Sequence, residues 1–442
     1  MKASLVTLGC NKNQVDSEMI ISYVASRGYE ITDDLKDADV IIINTCGFIN
    51  SAKEEAINVI LNTIDYKTYG KCKHLIVTGC LAKRYKKEIY SEFPEVDLVI
   101  GVDEYSDFDE IFSKYFKLKN SNSCLSFTNR TVSSIFPMAY LRISDGCNNK
   151  CHYCAIPLIR GKLKSRKLED IVLEAKELVS KGIQELCIIS QDTTSYGLDL
   201  YGKCKLVELI QEISKIDNLK WIRVLYMYPG KVSDELIYEF SKNNKLCRYF
   251  DIPIQHISDK MLKAMNRHTN KQEIYELVEK IKKKVPDAII RTTVMVGYQG
   301  ETEEDFEELK QGIKDLQFDR LGAFTYSKEE DTVGYEMTGD VSEDMKEKRY
   351  DEIMKLQQEI ISNKMKKFLD KEYEVIVEDV TEDNMYFICR SYMDAPDVDP
   401  RIYLKVEDNI DKVIIGEYYK VMLREIKGYD FIATLKEENN NV

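Results

Sequence analysis

Residues 144–157 read SDGCNNKCHYCAIP and set Cys147, Cys151 and Cys154 within eight positions, directly after the apolar run AYLRIS. Thiolates at such short intervals let one loop wrap a single metal or iron–sulfur centre. A structural zinc ion asks for four protein ligands. No fourth cysteine follows at ligand distance, and His152 stands too near Cys151 for both side chains to meet one ion. A four-iron four-sulfur cluster on three cysteines leaves one iron open to an outside ligand, and that is the centre this stretch predicts.

Downstream, the runs ELCIIS, WIRVLYM, YFDIPI, AIIRTTVMV and RLGAFTY read as further strands, separated by helical stretches such as EDIVLEAKELVSKG and TEEDFEELKQGIKDL. Six βα units with right-handed crossovers curl into an open barrel, and sites on such folds sit at the carboxyl ends of the strands. The cysteine loop follows the first strand and so lands at that mouth. IISQDTTSYG brings Gln191, Asp192 and Thr193 to the next strand end, where a ligand role and plain exposure to solvent remain equally open. VMVGYQGETEEDF is a strand, a glycine turn and a helix start, with Thr302 and Asp305 spaced as a capping box. It lacks the Gly-Lys-Ser/Thr ending of a phosphate loop, so Gly297 and Gly300 are expected to let backbone approach a non-phosphate ligand.

Upstream, SLVTLGC, DVIIINTC and HLIVTGC end at Cys10, Cys46 and Cys80, and each is followed by a helical stretch. Short β-branched runs of this kind suit parallel strands buried on both faces, whose carboxyl ends share one edge of a doubly wound sheet. Three cysteines so placed converge on one crevice. In the helical stretch from 50, Asn50 or Ser51 is a candidate cap and Ala56, Val59, Ile60 and Ile64 form the apolar stripe. Residues 118–137 are polar and aperiodic, as in a linker, and a polar helical stretch spans 342–369. Beyond it, EYEVIVEDV, MYFICRS, RIYLKV and EYYKVMLREI alternate like strands of a small antiparallel barrel. The expected fold class is α/β in three units: a doubly wound parallel-sheet domain over 1–117, an open (β/α)6 barrel over 133–365, and a small antiparallel β-barrel over 366–437.

The chain has 442 residues, 44% hydrophobic and 31% charged, with a net charge of −13. Such an acidic surface disfavours a protein that grips nucleic acid over its whole face. No run approaches the roughly 20 apolar residues of a membrane span. The start MKASLVTLGC lacks a secretory h-region. Twelve cysteines without an export signal predict a reducing cytoplasm, where thiols serve metals or catalysis. Cys72, Cys124, Cys187, Cys204, Cys247 and Cys389 are scattered and read as structural or exposed thiols. Trp221 reads as core, and His256 and His268 as satisfied core or surface groups.

The motif Cys147-x3-Cys151-x2-Cys154 with Tyr153 before its last cysteine, backed by βα units, resembles the radical S-adenosylmethionine enzymes. With the preceding cysteine-bearing domain and the β tail, the whole chain is similar to their methylthiotransferase branch. LGCNKNQVDSE, RISDGCNNKCHYCAIPLIRG, SQDTTSYG, YMYP, DIPIQHIS and SYMDAPDVD resemble the members that modify an aspartate of ribosomal protein S-twelve, rather than those acting on an adenosine of transfer RNA. The resemblance implies two four-iron clusters, one on Cys147, Cys151 and Cys154 and one on Cys10, Cys46 and Cys80. It implies S-adenosylmethionine on the open iron of the first, with Tyr153, Gln191, Gly297 and Gly300 as its expected contacts. The second cluster would carry the sulfur, a second S-adenosylmethionine the methyl group, and a flavodoxin or ferredoxin type of donor the electron. The last unit would be TRAM-like. From Lys366 onward eleven Lys and Arg face eighteen Asp and Glu, a balance of −7, which favours a basic protein partner over RNA. An electron-transfer or redox-sensing iron–sulfur protein is the alternative of another class, and it has no use for a barrel behind the open cluster.

Overall fold

The computed structural model describes residues 1–119, 124–406 and 413–436; residues 120–123 of the expected linker and the expected boundary at 437 lie outside it. The first sheet is parallel throughout. Its strands are β1 (Lys2–Thr7), β2 (Glu30–Ile31), β3 (Val40–Thr45), β4 (His74–Gly79) and β5 (Leu98–Gly101), in the order β2-β1-β3-β4-β5. Period-two alternation fills both faces. Ile41, Ile43, Leu75 and Val77 pack with Ala56 and Ile60 on one side, and Val40, Ile42 and Ile76 with Ile20, Tyr23 and Phe112 on the other. The short edge strands β2 and β5 have no counterpart in the sequence pattern. The helix Asn50–Thr68 is capped by neither Asn50 nor Ser51: Ile49 holds the cap position, and the Asn50 amide donates to Ser327 Oγ at 3.4 Å. That helix start is docked on the barrel, which replaces a local cap.

The central unit carries β6 (Met138–Arg142), the two-residue ladder β7 (Ser144–Asp145) with β8 (Lys164–Ser165), then β9 (Glu185–Ile189), β10 (Trp221–Val224), β11 (Tyr249–Asp251), β12 (Ile289–Val296) and β13 (Arg320–Thr325). All six expected barrel strands are present. They pair in parallel as β6-β9-β10 and β11-β12-β13, joined where Ile222 N donates to Lys245 O and Cys247 N to Ile222 O. Leu141, Leu186, Ile188, Ile222, Val224 and Phe250 pack outward against helices. Tyr140, Cys187, Trp221 and Tyr249 turn inward, toward a core shared with the last unit. Thr302 and Asp305 form the expected capping box.

The helix Glu343–Met365 is polar in composition yet buries Ile353, Ile360, Ile361 and Met365. It leads into a closed barrel of β14 (Glu372–Val380), β15 (Tyr386–Ser391), β16 (Ile402–Lys405), β17 (Tyr418–Lys427) and β18 (Asp430–Leu435), ordered β14-β15-β16-β18-β17. The fifth strand was not legible in the sequence. It closes the barrel through one parallel pair, with β16, so the barrel is not antiparallel throughout.

This small barrel is bolted to the far end of the central one. Arg390 reaches Glu185 at 2.5 Å and Glu378 at 2.8 Å, Arg223 meets Glu185 at 2.9 Å, and Arg320 holds Asp394 at 2.6 Å. Tyr249 donates to Asp399. Glu378, Asp394 and Asp399 are therefore turned inward, so the −7 balance overstates the acidity the tail offers to a partner. The expected linker is also fastened. Buried Arg130 pairs with Glu18 and Glu174, and Ser133 donates to Glu18 at 2.8 Å. Among the described residues no helix is long and apolar enough to cross a membrane.

Candidate active site

β7 and β8 clasp the base of the cysteine loop, and Cys147 N donates to Gly161 O at 3.2 Å. Gly146 makes the clasp possible: its φ is +70°, and a Cβ there would stand 2.2 Å from Lys162 O. Asn149 N approaches Cys147 Sγ at 3.5 Å, which turns the loop inward. His152 faces elsewhere, its N donating to Met265 O at 3.0 Å and its Nδ1 2.9 Å from Ala264 O.

The second triad comes from the other sheet. In the order β2-β1-β3-β4-β5 the chain reverses between β1 and β3, the place where such sheets bind ligands. Cys10 lies three residues past β1, at the cap position of the helix Asn11–Ser26 with its side chain uncommitted to the helix; Cys46 and Cys80 directly follow β3 and β4. Gly9, at φ +88°, lets the first two loops touch, for a Cβ would meet Cys46 Cβ at 2.6 Å. Asn13 ties them further by donating to Leu8 O and Thr45 O, both at 3.0 Å.

All six cysteines line one cavity of about 380 Å³. Arg160, six residues past Cys154, spans the domain junction. Its guanidinium donates to Asp145 at 3.0 Å, Asn13 at 2.8 Å and Asp16 at 2.7 Å, and lies 3.6 Å from Cys80 Sγ. Burial pushes the thiols of Cys46 and Cys147 up, and those of Cys80 and Cys154 up to about 12. Such thiols keep their protons until a metal displaces them.

Tyr153 and Gln191 both line this cavity. Gln191 Nε2 donates to Asp145 at 2.8 Å, while its Oε1 is buried without a partner. The two glycines of the expected contact set lie farther along the chain from β12. Gly297 lies outside this cavity, with Lys346 where its side chain would be, and Gly300 donates its N–H to Gly339 O at 2.8 Å. Gly297 lines instead a neighbouring space beside the helix Glu343–Met365.

Four more lining residues were not singled out from the sequence, although Lys12, Tyr226 and Gln255 stand in the quoted stretches LGCNKNQVDSE, YMYP and DIPIQHIS. Tyr226 and Gln255 hold left-handed backbone, φ +62° and +70°, a strain that collects at functional sites. Arg267 lies 3.7 Å from Cys151 Sγ, 3.5 Å from Tyr153 Oη and 4.1 Å over the Tyr228 ring. Lys12 stands 3.0 Å over the Tyr226 ring centroid, and burial lowers its amine to about 8. Buried atoms without partners on this wall include Gln191 Oε1, Gln255 Oε1, Arg267 Nε and Tyr326 Oη. A mostly apolar wall set with a few unsatisfied polar atoms suits an organic occupant that carries its own polar groups. A second space of about 770 Å³, between Asn50, β13 and Lys346, shares Ile49, Phe324, Tyr326 and Ser327 with the first and so borders it.

Among the described residues no three His, Cys, Asp or Glu close as tightly as the ligands of a single ion. Two sets of three thiols on a largely apolar cavity wall, with a few unpaired polar atoms between them, suit clusters whose irons sit apart, together with an organic ligand that has polar groups of its own.

The chain matches the Radical SAM superfamily over residues 141–313, Uncharacterized protein family UPF0004 over 2–101 and the TRAM domain over 371–435. Its fold is similar to the radical S-adenosylmethionine methyltransferase TsrM from Kitasatospora setae, with a TM-score of 0.55 at 13% identity, over 73% of this chain and 74% of that one. It is also similar to the cobalamin-dependent S-adenosylmethionine radical enzyme OxsB, at 0.52 and 12%, over 82% and 56%. The ribosomal protein uS12 methylthiotransferase RimO of Clostridioides difficile (strain 630) is 44% identical over 99% of both chains, and that of Acetivibrio thermocellus 43% over 99% of both. The chain belongs to the RimO family.

Proposed function

We propose that this enzyme adds a methylthio group to the β-carbon of an aspartate in ribosomal protein uS12, in the cytoplasm, with an electron from a flavodoxin or ferredoxin type of donor. The observation that carries this reading is the junction cavity, which receives three cysteines from each of two domains. Work is divided along the expected units: 133–365 holds the radical-generating site, 1–117 the sulfur-carrying site, and 366–437 braces the barrel. When bound, two four-iron clusters and S-adenosylmethionine supply the one-electron chemistry, the sulfur and the methyl group that acid–base side chains cannot.

The residues hold, orient and exclude. Cys147, Cys151 and Cys154 are the ligands of one cluster and Cys10, Cys46 and Cys80 of the other. Arg267 braces Cys151 and Tyr153 from behind, and Gln191 offers Oε1 to a donor on S-adenosylmethionine while Asp145 fixes its amide. Arg160 sets the two triads at a fixed separation. The groove beside β13 admits a loop of the substrate protein, and the loop's own bulk then shuts out water.

The test compares cells with and without the gene by mass spectrometry of uS12 peptides and by nucleoside analysis of hydrolysed transfer RNA. A methylthio-aspartate that vanishes with the gene is the expected result. Loss of a methylthio-adenosine beside an unchanged uS12 would move the enzyme to the transfer-RNA branch.

A further inference from the structure

Lys12, Arg160 and Arg267 are buried cations on the cavity wall, and the partners of two are accounted for. Arg160 is committed to Asp16 and Asp145. Arg267 donates to Pro253 O and stands at the barrel triad. Lys12 is different. It is 7% exposed, lies two residues from Cys10, and has only the Tyr226 ring beneath its amine. No carboxylate among the described residues pairs with it. The acids on the same wall are taken: Asp192 by Lys231, and Glu329 by Lys53 and Arg84. Tyr226 is itself held in left-handed backbone, with its N–H on Asp251 and its hydroxyl against Asn11, so the platform under the amine is fixed in place. An amine so buried, facing the cavity and paired with no carboxylate of the chain, is placed to receive an anionic group from an outside molecule.

We propose that Lys12 is a specificity-determining residue that pairs with the side-chain carboxylate of the substrate aspartate. The proposal rests on the methylthiotransferase reading and deepens it. The carbon that is modified must lie between the two triads. Its carboxylate, one bond away, then faces the wall beside Cys10, where Lys12 stands, while Arg267 serves the opposite wall beside Cys151.

The test uses full-length enzyme reconstituted anaerobically, with iron and sulfide counted on every protein, and two uS12 peptides that carry Asp or Asn at the modified position. Wild type is expected to bind the Asp peptide more tightly. Lys12→Met and Lys12→Gln should lose roughly 30-fold for the Asp peptide, as truncation of a buried charge pair does, and little for the Asn peptide. Lys12→Arg should keep most of the preference. Absence of an Asp preference in wild type overturns the proposal whatever the variants do, and so does an unchanged preference in the neutral variants. Equal weakening for both peptides, with weaker S-adenosylmethionine binding, assigns Lys12 to the cofactor and also overturns it. Failure of wild type to modify the Asp peptide at all rejects the functional reading instead.

Discussion

Replacing Arg390 with Met tests what holds the C-terminal barrel in place. Arg390 and Glu185 are fully buried, joined by contacts of 2.5 and 3.2 Å, and Arg390 also holds Glu378. Removing the guanidinium leaves Glu185 with Arg223 and Glu378 with Arg401. Breaking a buried ion pair on one side costs about 3–5 kcal/mol. The titration of Glu185 points the same way: burial would raise its carboxyl, but Arg390 and Arg223 together hold it down to about 2. Because the folded value is depressed, this stability is complete above pH 4.5 and is lost as pH falls toward 2. Trp221, the single tryptophan, stands 4.8 Å from the Tyr418 ring at the same interface, so its emission in a urea titration reports undocking. Arg390→Met should lower the free energy of that transition by about 3–5 kcal/mol at pH 7 and flatten its acid dependence, and Glu185→Gln in the same chain should restore part of the loss. A loss below about 1 kcal/mol, or an acid dependence equal to wild type, refutes the reasoning.

Changing Cys147, Cys151 and Cys154 to Ala should halve the iron, from roughly eight atoms per chain; unchanged iron, or zinc in its place, contradicts the assignment. Changing Cys10, Cys46 and Cys80 to Ala should leave reductive cleavage of S-adenosylmethionine intact while abolishing the methylthio product, as followed by chromatography of 5′-deoxyadenosine beside peptide mass. Arg160→Met should lower the reduction potential of the cluster on Cys80, because a cationic donor near a ligand sulfur favours the reduced state. Arg160→Lys should recover part of the shift, and a potential that ignores both variants in a redox titration followed by electron paramagnetic resonance leaves Arg160 a purely structural tie.

The barrel strands and the cysteine positions were legible because each follows from a local pattern: a β-branched run for the strand, a short Cys spacing for the loop. The edge strands β2 and β5 and the barrel strand β18 were not, being short or set off only by a tight turn. Gly297 and Gly300 show what a glycine turn leaves open: it announces close approach without naming what approaches, here Lys346 and Gly339. Lys12, Arg160 and Arg267 could not be singled out from one sequence, since each gains its meaning from a partner, or the lack of one, more than a hundred residues away or across a domain junction. The acidic tail misled for a related reason: net charge says nothing of which carboxylates face inward to Arg390 and Arg320.

The packing of Tyr140, Trp221 and Tyr249 against Met393 and Ala395 gives the central barrel a floor. The molecule is thus a flask and not a tube, with its reactive chamber at the neck. Everything a turnover consumes passes that neck, and everything it makes returns by it. A bulky ribosomal protein lodged there is also a stopper. On that geometry, nucleoside behind a seated substrate would leave after it, and fresh S-adenosylmethionine would enter before it. The order of arrival and departure is therefore imposed by the vessel, and the pace of the cycle by how soon the stopper is withdrawn.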